Sequence, residues 1–198
     1  MRAPERAVFI GSIGGIPKIQ ERLPEIMLGK GVILDPRPLD YMGTDYQDWL
    51  EDTGDYIKRL AKRWRVHVIG ASGGGPPAAS LFRRHADVID RAVIWSGKMT
   101  DLYAFKNPKN TQRYEGTNLV ESAGVFQVED RPRITPHMLQ RMLFTHGEED
   151  GDIAPEHSVL EGAPNTHEFP TITHDAALTY AMATRLGLSV TIDFVRHD

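Results

Sequence analysis

The chain of 198 residues contains no cysteine. This absence excludes disulfide bonds, thiolate metal sites and a cysteine nucleophile. The sequence also has no apolar stretch of membrane-spanning length. The short apolar run near the N-terminus is broken by glycine and lacks a cleavage-type pattern, which argues against a signal peptide. We therefore expect a cytoplasmic protein with no membrane partner.

The chain also has no excess of positive charge, with 23 lysine and arginine residues against 27 aspartate and glutamate residues. The formal net charge is −4, and no run of like charges is long enough to form an interaction tail. Because nucleic acids are bound through basic surfaces, we expect no nucleic-acid partner. The hydrophobic fraction of 40% and the charged fraction of 25% are ordinary for a globular protein. The length predicts one domain, 1–198, with a sizeable core.

Short apolar runs alternate with amphipathic segments, as in parallel α/β proteins. The pattern predicts a three-layer α/β/α sandwich with a mostly parallel sheet of about six strands. The predicted strands are 7–10, 32–34, 66–69, 91–97, 141–147 and 189–195. The predicted helices are 17–28, 45–64, a helix from the end of the third strand to about 86, and 176–186. A polar loop is expected between the fifth strand and about residue 173. Residues 98–137 break the rhythm and are expected to form a small cap-like insertion with little regular structure.

The third predicted strand runs into Gly70-Ala71-Ser72-Gly73-Gly74, a Gly-x-Ser-x-Gly motif. This pattern predicts a strand, a tight turn and a helix with the serine at the apex. The glycines permit a strained turn and a close approach of strand and helix. The N–H groups at the helix start would face the place where negative charge develops during acyl transfer. A glycine-rich turn of this kind can equally hold a phosphate, so the motif alone does not decide the chemistry.

A second polar cluster favours catalysis by serine. Residues 146–158 place an acidic loop directly after the fifth predicted strand. A serine nucleophile needs a base within hydrogen-bond reach, and the base needs a carboxylate that holds its tautomer. The chain order of serine, then aspartate, then histidine is the order that such sheets use.

Over nearly its whole length the sequence resembles the alpha/beta-hydrolase superfamily. Gly70 to Gly74 matches the nucleophile elbow of that family. His146-Gly147-Glu148-Glu149-Asp150 is similar to the acid-bearing loop of serine esterases and prolyl-oligopeptidase-like members. Gly11-Ser12-Ile13-Gly14-Gly15 stands where the family carries its oxyanion-hole loop, with Gly11 in place of the usual histidine. Two strands that normally open the family's sheet have no counterpart, so the resemblance implies a minimal version of the fold.

The resemblance implies Ser72 as nucleophile and the backbone N–H groups of Gly73 and Ile13 as oxyanion donors. Two residues are candidates for the acid. Asp150, the expected acid, has the family spacing from the His-Gly pair. Asp152 is the alternative, since it is nearer to the usual spacing before the following proline.

The family places its base just after the last strand, which leaves two candidate histidines. His197, the expected base, follows the last strand if residues 189–195 form that strand. His174 is the base if residues 167–173 form a short last strand and the terminal helix follows it.

The implied function is a serine hydrolase that cleaves an ester, thioester or amide of a small acyl substrate through a Ser-His-Asp triad and an acyl-enzyme. No cofactor or metal is expected. Metal ligation by His146, Asp150, Asp152 and His157 is set aside because their spacing fits no established pattern. Aromatic residues in the insertion would suit an apolar acyl group, and arginines there would suit a carboxylate. These residues are Tyr103, Phe105, Tyr114 and Phe126, and Arg113, Arg131 and Arg133.

Two other functions stay open at this point. A hydrolase-fold protein without catalysis would serve in binding, which the missing histidine before the oxyanion loop and the uncertain base allow. Residues 68–75 also resemble the glycine-rich turn of short-chain dehydrogenases, which are Rossmann-type nucleotide-binding proteins. That turn normally follows the first strand, whereas two β–α units precede it here. No Tyr-x-x-x-Lys pair follows, and Ser96 and Gly97 stand where an acidic residue would bind the ribose.

Overall fold

The computed structural model describes residues 5–11, 17–40, 45–97, 99, 134–151, 153, 155–173 and 185–196. Six strands in this part of the chain form one sheet in which every pair is parallel. They are β1 (Glu5–Ile10), β2 (Val32–Pro36), β3 (Arg65–Ala71), β4 (Ile89–Trp95), β5 (Met142–Gly147) and β6 (Thr166–Phe169). Their order across the sheet is β2-β1-β3-β4-β5-β6. The prediction of a parallel sheet of about six strands is confirmed.

Helices cover both faces of the sheet. They are α1 (Pro17–Leu28), α2 (Tyr46–Ala61), α3 (Gly75–Arg84), α4 (Pro136–Leu139), α5 (Pro155–Ser158) and α6 (Arg185–Arg196), and a 3₁₀ turn spans Ser72–Gly74. The first three helices and the first five strands lie where the sequence pattern predicts them. No helix in the described ranges combines the length and the apolar character needed to cross a membrane.

The core has two layers, one on each face of the sheet. One layer packs α2 and α3 against the strands, and its largest side chains include Trp49, Phe82 and Phe144. The other packs α1 and α6 against the opposite face, with Trp95 at its centre and its indole N–H donating to Thr191 Oγ1 at 2.9 Å. Because apolar burial drives folding, these two layers stabilise the predicted three-layer α/β/α sandwich.

The prediction of a last strand at residues 189–195 is wrong, because this segment belongs to helix α6. Apolar and polar residues alternate there in sequence, which is typical of a half-buried strand. The side chains that reach the core are instead Leu188, Ile192 and Val195, spaced as on one face of a helix.

The sixth strand is β6, which lies inside the segment predicted as a polar loop between the fifth strand and about residue 173. Only Phe169 of its four residues is buried, since β6 lies at the edge of the sheet. So short and polar a strand carries almost no hydrophobic pattern. Its position agrees with the alternative interpretation, in which residues 167–173 contain the last strand.

Several earlier predictions fall outside the described residues. These are the insertion at 98–137 apart from 99 and 134–137, the helix at 176–186 apart from its last two positions, and the candidate site residues Ile13, Asp152, His174 and His197.

Helix α6 ends near the N-terminal ends of the strands. The Arg196 guanidinium donates to the carbonyl oxygen of Lys30 at 3.0 Å, and its Nε lies 3.9 Å from Glu5 Oε2. Glu5 opens β1, and Lys30 comes just before β2. The C-terminal end of α6 therefore lies at the N-terminal ends of these strands. The C-terminal end of β3, where Ser72 follows, is at the opposite end of the sheet.

The junction of β3 with α3 has no room for a side chain at Gly70 or Gly74. A Cβ placed on Gly74 would overlap the carbonyl oxygen of Ile10 and would lie 2.9 Å from the carbonyl oxygen of Gly11. A Cβ on Gly70 would overlap the Gly74 carbonyl and lie 2.7 Å from the Ala78 Cβ. Strand β3, the turn and the end of β1 are thus in backbone contact, which only glycine permits here.

Steric exclusion at Gly74 can be tested because Gly74 has an ordinary helical φ of −75°. Gly74→Ala adds no conformational strain, so any loss comes from overlap with the backbone of β1. We expect a loss of about 2 to 3 kcal/mol in the free energy of unfolding, measured by urea denaturation. Gly151→Ala is the matched control, since its Cβ would meet nothing within 4 Å. Equal stability of the two variants would contradict the close packing.

A buried histidine in β3 makes stability depend on pH. The His67 side chain is fully buried, and neither ring nitrogen has a hydrogen-bond partner among the described residues. Burial lowers the pKa of His67 to about 4, although Asp90 Oδ2, 3.7 Å from Nδ1, favours the charged form. Between that pKa and the ordinary histidine pKa near 6.5, the unfolded chain binds a proton that the folded chain does not.

Stability should therefore fall as the pH drops below 6.5. His67 alone predicts a loss of about 2 kcal/mol between pH 7 and pH 5. Urea denaturation at several pH values measures it, and His67→Leu should remove this part of the slope. His137→Leu, at an exposed position, is the control and should leave the slope unchanged. An unaltered pH dependence in His67→Leu would refute the assignment.

Candidate active site

Ser72 occupies the apex of the turn between β3 and α3. It is the first residue after β3 and has a φ of 50°. This left-handed conformation is uncommon outside glycine and costs free energy, so it persists only where the surroundings impose it. The Gly75 N–H donates to the Ser72 carbonyl oxygen, which closes the turn. The predicted strand, turn and helix with serine at the apex is therefore present.

Two neighbouring segments pack against this turn. The contact of Gly74 with Ile10 and Gly11 places the chain leaving β1 beside the serine. On the other side, a Cβ on Gly97 would lie 3.0 Å from the Gly75 Cα and 3.5 Å from the Ser72 carbonyl oxygen. The predicted oxyanion-hole loop thus starts next to the turn, although Ile13 itself lies outside the described residues. Gly73 is buried within the turn.

A second strained serine lies on the same edge of the sheet. Ser96 follows the last residue of β4, is buried and has a φ of 46°. Its N–H donates to the Thr145 carbonyl oxygen at 2.7 Å, which ties the end of β4 to β5. The sequence analysis assigned no structural or catalytic role to Ser96, because no sequence pattern predicts a positive φ at a serine. Its geometry directs the chain from β4 into Gly97 and so against the serine turn.

Asp150 is a buried carboxylate that follows β5 by three residues. Its side chain is fully buried, and Oδ1 accepts a hydrogen bond of 2.7 Å from the Ile153 N–H. Its own N–H donates to the Gly147 carbonyl oxygen at 3.2 Å. The hydrogen bond from Ile153 holds the carboxyl group of Asp150 in one orientation.

The sheet sets the lateral distance between Ser72 and Asp150. Strand β4 lies between β3 and β5, so the two residues follow strands that are two steps apart. At the usual spacing of parallel strands this is about 10 Å. The strands that precede Ser72 and Asp150 are therefore the two neighbours of the same strand, β4.

The chain leaving β6 runs beside the chain leaving β5. The Glu148 N–H donates to the Phe169 carbonyl oxygen at 3.0 Å, and the Glu149 N–H donates to the Ile172 carbonyl oxygen at 3.1 Å. Residues just before Asp150 are therefore hydrogen bonded to residues just before position 174. The structure brings these two segments together at the carboxyl edge of the sheet.

The strand on which the assignment of His197 depends is absent. Arg196, the last residue of α6, lies at the amino ends of the strands, where Glu5 pairs with Arg65, the first residue of β3. From Arg65 to Ala71 the strand rises about 20 Å. Helix α6 thus ends far from Ser72 along the strand direction.

Two histidines of the acidic loop have other surroundings. His146 is nearly buried at the end of β5, with Nε2 3.6 Å from Glu168 Oε2. The His157 carbonyl oxygen accepts a hydrogen bond of 2.7 Å from the Met99 N–H. Across the described ranges, no three histidine, aspartate or glutamate side chains are grouped so that they could hold a metal ion.

No family model matches the sequence, and no curated protein is similar enough in sequence to count as a relative. Solved structures do match. Est1E from Butyrivibrio proteoclasticus superposes with a TM-score of 0.67 at 17% identity, over 98% of this chain and 89% of its own. A meta-cleavage product hydrolase from Pseudomonas fluorescens has a TM-score of 0.61 at 17% identity, over 96% of this chain and 90% of its own.

A monoacylglycerol lipase from Paleococcus ferrophilus has a TM-score of 0.62 at 14% identity, over 98% of this chain and 95% of its own. The match in each case extends over nearly the full length of both chains, so it concerns the whole architecture and not one motif. The six parallel strands with helices on both faces, the serine turn after β3 and these structural matches agree: the chain has the alpha/beta-hydrolase fold.

Proposed function

We propose that this protein is a serine hydrolase that cleaves an ester, thioester or amide of a small acyl substrate through Ser72, His174 and Asp150. The observation that carries the proposal is the left-handed conformation of Ser72 at the carboxyl edge of the sheet. Ser96 has a similar φ, but it lies outside the Gly-x-Ser-x-Gly motif. Ser72 combines the left-handed conformation with that motif and with the start of α3, the arrangement in which a nucleophile projects out of the turn. Esterases and lipases among the structural neighbours support the ester as the first bond to test.

His174 is proposed as the base in preference to His197. Ile172 is hydrogen bonded to Glu149, which puts position 174 two residues beyond a fixed contact with the acid loop. His174 also follows the last strand, as the resemblance requires. The corrected assignment of residues 189–195 to a helix removes the reason for choosing His197.

Asp150 is proposed as the acid. Its burial and its hydrogen bond from Ile153 give it the fixed orientation that a histidine partner needs. A buried carboxylate also favours the imidazolium that forms during catalysis, because electrostatic attraction is strong where water is excluded. Asp152 remains the alternative acid.

Each reaction step uses one of these groups. Ser72 Oγ attacks the carbonyl carbon while His174 takes the hydroxyl proton, and the proposed oxyanion donors are the N–H groups of Gly73 and Ile13. Collapse of the tetrahedral intermediate breaks the bond to the leaving group, which receives the proton from His174. Water then attacks the acyl-enzyme with His174 again as base, releasing the acid and restoring Ser72.

The substrate-binding part is proposed to be the insertion at 98–137, acting as a small cap. It leaves the sheet after β4, the strand between those that precede Ser72 and Asp150, and returns before β5. An apolar acyl group and a carboxylate-bearing acyl group both remain candidates, given its aromatic and arginine residues. The cytoplasmic location and the absence of nucleic-acid and membrane partners stay predictions.

An activated serine should react with a fluorophosphonate. Intact-protein mass spectrometry should show a single adduct on the parent protein and none on Ser72→Ala. Ser80→Ala is the matched control, because Ser80 is buried in α3 and makes no hydrogen bond through Oγ within the described structure. It should label like the parent. A folded parent protein without any adduct would overturn the hydrolase proposal and favour a binding role.

The two candidate bases give opposite results in kinetics. His174→Ala should lower kcat/KM for p-nitrophenyl butyrate by at least about 10³-fold, because the base is lost while the oxyanion hole remains. His197→Ala should keep nearly full activity. Circular dichroism of both variants checks that they fold. Loss of activity in His197→Ala alone would contradict the proposed triad.

A further inference from the structure

The turn that follows β6 contains a strained residue. Thr171 has a φ of 57°, which is rare for a residue branched at Cβ and costs about 1 to 3 kcal/mol. Thr171 is exposed, so packing against the core does not impose this conformation. The turn is instead hydrogen bonded to the loop that follows β5.

The partner of this turn is Glu148. The Thr171 N–H donates to Glu148 Oε2 at 3.1 Å, while the Glu148 N–H donates to the Phe169 carbonyl oxygen. Glu148 therefore contacts the turn through its side chain and its backbone at once. The bond from Glu149 N–H to Ile172 completes the link, so three hydrogen bonds join residues 148–149 to residues 169–172.

The position of Glu148 in the chain matters for the proposed site. It lies two residues before Asp150, and Thr171 lies three residues before His174. A carboxylate that fixes Thr171 therefore fixes the start of the segment carrying the base relative to the segment carrying the acid. Since an error of about 1 Å in a catalytic contact can cost about 100-fold in rate, such a link has catalytic consequences.

We propose that Glu148 is a positioning residue, whose carboxylate holds the left-handed Thr171 turn so that the base meets Asp150. This inference rests on the proposed function. Glu148 acts as a hydrogen-bond acceptor for the Thr171 N–H, and its charge is secondary. Glutamine, whose side-chain oxygen also accepts, should replace it, whereas alanine should not.

The test compares Glu148→Ala, Glu148→Gln and the control Glu149→Ala, whose side chain is exposed and whose backbone N–H still donates to Ile172. Amide hydrogen exchange at Thr171 reports the hydrogen bond without any need for activity. In Glu148→Ala this amide should exchange about 10-fold faster and kcat for p-nitrophenyl butyrate should fall about 10-fold with KM unchanged. Glu148→Gln and Glu149→Ala should stay within about 2-fold of the parent in both measurements.

Each other result counts against the inference. If the Thr171 amide exchanges at the parent rate in Glu148→Ala, the Glu148 carboxylate does not hold the turn. If the amide exchanges faster while kcat stays unchanged, Glu148 holds the turn but does not position the base. Loss of activity in Glu148→Gln, with a lowered apparent pKa in its pH–rate profile, would show that the charge acts on the base directly. A parent protein that neither labels at Ser72 nor hydrolyses the ester refutes the proposed function, and the exchange data then still decide whether Glu148 holds the turn.

Discussion

The structure depends on one steric constraint, the backbone contact between the turn after β3 and the end of β1. Where Gly74 meets Ile10 and Gly70 meets Ala78, no side chain fits. This contact lets α3 start directly above the end of β3, and the turn that results forces Ser72 to a positive φ. The same contact brings the chain leaving β1 to the serine, and Gly97 brings the chain leaving β4 to its other side. Three segments thus converge on one residue because glycines allow them to approach.

The parallel sheet turns this local arrangement into a candidate site. In a parallel sheet all strands end at the same edge, so residues distant in sequence meet there. Ser72, Ser96 and Asp150 follow β3, β4 and β5 in turn, and the helices return the chain on either face. Burial of Asp150 and its hydrogen bond from Ile153 add a carboxyl group of fixed orientation to this edge. The proposed acyl transfer uses this buried carboxyl group and the left-handed serine at the same end of the sheet.

Helix α6 shows how local pattern and tertiary structure can disagree. Its apolar residues alternate with polar ones over a short stretch, and a half-buried strand would have the same alternation. The core decides otherwise, because Leu188, Ile192 and Val195 fill the space above the sheet face next to α1. The sheet already has an edge strand in β6, whose pairing with β5 needs backbone groups and only one buried side chain. The assignment of residues 189–195 to a helix matters for the site, because it changes the proposed base from His197 to His174.

The sequence by itself determined the parallel α/β architecture, the serine turn and the acidic loop after β5. Those features depend on local patterns: buried strands are short apolar runs, and a tight strand-to-helix turn needs glycine at specific positions. Only the tertiary structure decided which segment forms the sixth strand, where α6 ends and how Glu148 meets Thr171. These depend on contacts between residues far apart in the chain, and the hydrogen bonds of a polar edge strand or an exposed loop leave no periodic trace in the sequence.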